Sequence, residues 1–172
     1  KGTSLLTHPH QSASDEQWLY LPVMSRVKRI SSRNKSGAFV GSEFSFEDMT
    51  NKDLEDYTYN FLHTEACPAL AVLCDKIARF PVDKHSGYTK QHVWIEQQDK
   101  KIVRIEYFDR KDTLFKVFTA EDFTLYANKY WRPKVVVMEN VQTGKKTSLH
   151  YQSIKFSTGL VEQDFRRNAL SG

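Results

Sequence analysis

The feature that most constrains this chain is a side-chain period of two that returns in short runs, each ended by a turn signal. Tyr57, Tyr59, Phe61 and His63 alternate with Thr58, Asn60, Leu62 and Thr64. Gln91, Val93 and Ile95 alternate with His92, Trp94 and Glu96, and Val103, Ile105 and Tyr107 with Arg104 and Glu106. Successive side chains of a strand point to opposite faces, so each run reads as a strand. Further strands are predicted over 69–80, 114–126, 131–140 and 146–156. Pro81, His85-Ser86-Gly87 and residues 97–100, 109–112 and 142–145 punctuate the series, with Gly144 where a hairpin turn needs positive φ. Eight or nine strands joined by short connections predict a mainly β fold with few short helices. The arrangement expected is a single curved antiparallel sheet or open half-barrel, and no αβα layering. Short helices are expected at 51–56, after Thr50, and within 157–165, where Leu160 and Phe165 would pack back on the sheet. Ser45, three residues ahead of Asp48, marks another helix start.

If the strands pair as successive hairpins, Val93, Ile95, Val103, Ile105, Tyr107, Phe115 and Val117 share one face. So few helices cannot cover that face. It is expected to be concave and apolar and to be closed by a ligand or by other protein, an ordinary core being the plainer alternative.

Residues 1–7 read as a strand without a polar lead-in. Trp18-Leu19-Tyr20-Leu21 forms another, closed by Pro22, with Leu19 and Leu21 offered to the apolar face. Five cations follow within ten residues: Arg26, Lys28, Arg29, Arg33 and Lys35. Serines and an asparagine interrupt them, which predicts a basic loop or hairpin. Such a loop can rim the pocket and meet anionic headgroups or an acidic partner, or simply be solvated. Glu43, Glu47 and Asp48 can balance these cations, form a carboxylate pair, or occupy the first turn of a helix.

The segments QWLYLP, RVKRIS, GSEFSFEDM, RFPVDKHSGYTKQHVWI, EYFDR and NKYW resemble, in order, the outer-membrane lipoprotein-sorting protein family of Gram-negative bacteria, related to the periplasmic carrier LolA. The resemblance spans nearly the whole chain. It implies a single LolA-like domain over 1–172 that lacks the family's N-terminal helix and first strands. It also implies a periplasmic location, with any signal peptide upstream of Lys1, and a cargo of lipoprotein acyl chains. A free-lipid carrier beside an inner-membrane exporter and a periplasmic adaptor with a protein-filled face are the competing readings. In that oxidising compartment Cys67 and Cys74, seven apart, can close a disulfide, the alternative being two buried thiols.

Other classes find little support. A net charge of +4 and a pI of about 9.0 come without zinc-finger, helix-turn-helix or aromatic RNA-binding motifs, so no nucleic-acid partner is expected. No G-x-S-x-G, H-E-x-x-H, P-loop or dinucleotide turn is present, and neither an enzyme nor a cofactor is predicted. His8 and His10 share a strand face but lack a third ligand, so no metal site is expected.

Overall fold

The computed structural model describes residues 2–10 and 15–170. Among the described residues, ten antiparallel strands form two sheets. Strands β1 (Ser4–His8), β2 (Glu16–Leu21) and β3 (Arg26–Ile30) make a three-stranded sheet. Lys1, the start of the expected first strand, lies outside the described residues. Strands β4 (Tyr57–Ala66), β5 (Leu73–Pro81), β6 (Lys90–Glu96), β7 (Ile102–Phe108), β8 (Leu114–Tyr126), β9 (Tyr130–Asn140) and β10 (Lys145–His150) follow one another as a seven-stranded meander. The fold is mainly β, antiparallel and unclosed, with edges at β4 and β10.

The expected single sheet is divided because residues 31–56 carry no sustained alternation. With no strand to pair, the ladder stops after β3 and restarts at β4. Among the described residues only short 3-10 turns occur as helices. One is Leu54–Asp56, capped by Asp53 rather than Thr50, whose backbone N–H bonds Asp56 Oδ2 at 2.9 Å. Gly144 does take positive φ, at 72°, in the β9–β10 turn.

At the C-terminal end the helix expected within 157–165 is replaced by 3-10 turns at Glu162–Phe165 and Arg167–Leu170. A single turn presents no continuous apolar stripe, and Leu160 and Phe165 remain exposed. Leu170 packs back instead, against Leu6 and Trp18 of the small sheet. The last strand is also shorter than expected. Tyr151 makes one more bond, to the Lys134 carbonyl at 2.8 Å, next to Pro133, which has no N–H to offer a neighbour.

Candidate functional site: a half-covered concave face

Residues opposite each other in an antiparallel ladder share a face, so the register reads off what the concave side presents. One row runs Phe61, Ile77, Val93, Ile105, Phe118, Met138 from β4 to β9. Val93, near its middle, and Met138, at its β9 end, are fully buried. A second row, two residues along each strand, runs Arg79, Gln91, Tyr107, Lys116, Asn140. All five are buried, and four are polar or charged. On the other side of the apolar row lie Ile95 and Ile102, paired across a bulge, then Ala120 and Phe123.

The polar row is where the chain covers its own sheet. The segment after β3 crosses the face, placing Phe39, Phe44 and Met49 against the apolar row. Its three carboxylates hold it there. Glu43 accepts from the Asn140 amide at 3.1 Å, and its own N–H bonds Thr147 Oγ1 at 3.0 Å. Glu47 accepts from the Ser86 hydroxyl and from the Gly87 N–H at 2.9 Å. Asp48 accepts from the Tyr88 hydroxyl at 2.9 Å and lies 3.7 Å from the Lys116 ammonium. Ser45 and Asp48 also bond reciprocally: the Ser45 N–H reaches Asp48 Oδ2 at 2.7 Å, and the Asp48 N–H reaches Ser45 Oγ at 3.2 Å. These carboxylates therefore do not balance the basic run. Gly87 permits the crossing, since a Cβ there would stand 2.7 Å from Ser36 Cβ.

Burial raises the hydroxyl pKa of the tyrosines in this covered half. Tyr57 is pushed up to about 12, chiefly by desolvation, against the pull of the Arg79 guanidinium 4.5 Å from its ring. Tyr88 and Tyr107 are likewise raised well above the ordinary value, again by desolvation first and then by the Asp48 carboxylate.

Beyond Phe44 the face is open. A cavity of about 690 Å³ is floored by Ile77, Val93, Ile95, Ile105, Phe118 and Met138 and extends to Ile102, Phe123 and Trp131. Lys52, Arg79, Lys100, Lys101, Lys129 and Arg132 stand around it, against Asp48, Asp53 and Asp99. Such dimensions suit a small ligand, and the lining offers apolar area with cations at the edge.

The expected site residues divide. Val93, Ile95, Ile105 and Tyr107 line this cavity. Val117 does not: it pairs with Glu106 and Glu139 and so lies on the opposite face, while Phe118 takes the inward place. An extra residue on β8, at the register shift opposite Tyr107 and Phe108, displaces the count by one and carries Phe115 out of the lining as well. Val103 sits beside a similar shift in β6–β7 and packs with Trp94, Cys67 and Cys74. Leu19 and Leu21 belong to the small sheet, paired with Lys28 and Arg26.

The basic run is not at the cavity. Arg26, Lys28 and Arg29 lie on β3, Arg29 pairs with Glu16, Arg33 is exposed on a 3-10 turn, and Lys35 pairs with Asp83. The cations that do edge the cavity form no run, because they are scattered over five connections and strands, with only Lys100 and Lys101 adjacent. Cys67 and Cys74 are joined in a disulfide with Cα atoms 4.9 Å apart. His8 bonds the Phe165 carbonyl at 2.7 Å, and no group of three metal-ligating side chains occurs among the described residues.

An open antiparallel half-barrel with a partly covered concave face defines the structural class. Three solved structures share it. A domain from Vibrio parahaemolyticus, described as an outer membrane lipoprotein-sorting protein domain, is 44% identical with a TM-score of 0.95, over all of this chain and 72% of that one. A DUF1329 family protein from Desulfovibrio piger is 27% identical at TM-score 0.91, over 99% of this chain and 71% of that one. A LolA superfamily protein from Nitrosomonas europaea is 18% identical at TM-score 0.72, over 98% and 78%, and speaks for the fold alone. A family model described as "uncharacterized protein" matches residues 1–172. No curated protein matches the chain. The chain belongs to the outer membrane lipoprotein-sorting protein family, with the LolA-like fold.

Proposed function

We propose that this protein is a periplasmic carrier that holds acyl chains of lipoproteins in the open half of its concave face. The observation that supports the reading is the apolar lining at Ile77, Ile95, Ile102, Phe118 and Phe123, left part-exposed beside a half that the chain seals itself. Each buried methylene contributes about 0.8 kcal/mol, so ten would contribute about 8 kcal/mol before ordering costs. No specific polar contact is then required, and affinity should rise with chain length. The Cys67–Cys74 disulfide suits an oxidising compartment, and the lipoprotein-sorting description of the Vibrio relative supplies the cargo class.

Native mass spectrometry of purified protein should find acylated species bound. Displacement of a fluorescent fatty acid should tighten with acyl length and weaken at least tenfold in Ile102→Glu, which adds a charge at a half-exposed lining position where folding is tolerated. Val117→Glu, on the other face, serves as the contrast if it folds. Absence of bound acyl species together with unchanged displacement in Ile102→Glu would replace the carrier with an adaptor.

A further inference from the structure

The connections β4–β5, β6–β7 and β8–β9 fall at one end of the meander, and the mouth of the cavity opens among the last two. The first carries Pro68-Ala69-Leu70-Ala71-Val72-Leu73, six residues without a polar side chain. Leu70, Val72 and Leu73 are 43%, 45% and 54% exposed. Directly beneath them the disulfide closes the loop, with both half-cystines buried against Trp94 and Val103. Bonds from the Cys67 N–H to the Val72 carbonyl at 2.8 Å and from the Gln97 N–H to the Leu73 carbonyl at 3.1 Å hold the tip and tie it to the β6–β7 turn. Lys100, in the β6–β7 turn bonded to the tip, and Lys129 and Arg132, in and after the β8–β9 turn at the same end of the sheet, are exposed at the mouth, and none forms an ion pair among the described residues.

We propose that this disulfide-closed hairpin tip docks on an anionic lipid bilayer, inserting Leu70, Val72 and Leu73 at the acyl boundary while Lys100, Lys129 and Arg132 meet the headgroups. Three aliphatic side chains on a hairpin tip bury too little area for a rigid protein interface of about 1,200 Å² or more, whereas a bilayer closes around any shape. The neighbouring cations match a negatively charged surface. The cross-link lowers the ordering cost of insertion, because the tip is already folded. Docking there brings the cavity mouth to the membrane. That consequence rests on the carrier reading, but the docking itself does not.

The test is sedimentation of the intact chain with vesicles of phosphatidylcholine alone or rich in phosphatidylglycerol. The parent should bind the phosphatidylglycerol vesicles and prefer them. Leu70→Glu with Leu73→Glu should lower that binding by about tenfold or more. Lys100→Glu, Lys129→Glu and Arg132→Glu together should abolish the preference, while Arg26→Glu with Lys28→Glu on β3 should leave it unchanged. Leu70→Trp, which keeps the tip apolar, should shift its emission to the blue on anionic vesicles and be quenched by brominated acyl chains. Circular dichroism and absence of free thiol establish that each variant is folded. Parent protein that binds neither vesicle, a tip variant that binds like the parent, or an indole at the tip of the Leu70→Trp variant that brominated chains do not quench overturns the proposal in favour of a protein partner. Fatty-acid displacement without vesicles separates the two readings: the tip variant should retain it, and its loss in the parent would remove the cargo reading while leaving the vesicle result intact.

Discussion

The two halves of the concave face are built from the same strands, yet one is core and the other is cavity. In the covered half, Tyr107, Lys116 and Asn140 point at a segment that returns a carboxylate or an aromatic ring to each region of the face. In the open half, Ile95, Ile102 and Phe123 have no such lid. The difference lies in the sheet, polar along Arg79, Gln91, Lys116 and Asn140 and apolar along Ile95, Ile102 and Phe123, and in the segment between the sheets, which of these two rows covers only the polar one. An apolar ladder is thus no evidence of a ligand site by itself; whether it binds or merely packs depends on how far the covering segment reaches.

Stability should be most sensitive to substitution in the covered half. Phe44→Ala should cost about 3–5 kcal/mol in urea unfolding, because it empties the contact between the crossing segment and the apolar row. A cost below about 1 kcal/mol would mean that the segment is not integral. Alkaline titration gives a second measure. The unfolded tyrosines ionise near pH 10, while Tyr57 holds its proton to about 12 and Tyr88 and Tyr107 hold theirs beyond the ordinary value. Raised folded-state values mean stability that is full below pH 10 and lost as pH rises through 12. Tyr57 alone should account for about 2–3 kcal/mol of that loss. Absorbance at 295 nm should show at least three of the eight tyrosines missing from the transition near pH 10.

At the open end, replacing both cysteines by serine should cost about 2.5 kcal/mol in the chain-entropy account, since the closed loop is short. The covered half should keep its tyrosine titration in that variant. Phe123→Ala should cost only about 1 kcal/mol of stability but lower acyl displacement severalfold, the reverse of the pattern at Phe44. Smallest of all, Arg26→Ala and Lys28→Ala, exposed on β3, should change stability by less than about 0.5 kcal/mol and leave displacement untouched.

The alternation at Val93/Ile95 and Ile105/Tyr107, the turn at Gly144 and the proline stops fixed the strand order and the open antiparallel class, because side-chain direction and φ limits are local properties of the chain. Local rules failed where strands must register against each other. One extra residue opposite Tyr107 turned Val117 to the outer face and Phe118 inward, and no single-strand pattern reports a bulge that only its partner defines. The same holds for Glu43, Glu47 and Asp48. Their nearest cations in sequence are Lys35 and Lys52, but their side-chain partners Asn140, Ser86, Tyr88 and Lys116 lie 39 to 97 residues away and arrive only when the sheet has formed. The sequence alone thus determined the succession of strands from β4 to β10, but not β3, whose residues read as a basic loop or hairpin. Only the tertiary structure decided which half of the strands' common face is sealed, since the seal depends on bonds between segments far apart in the chain.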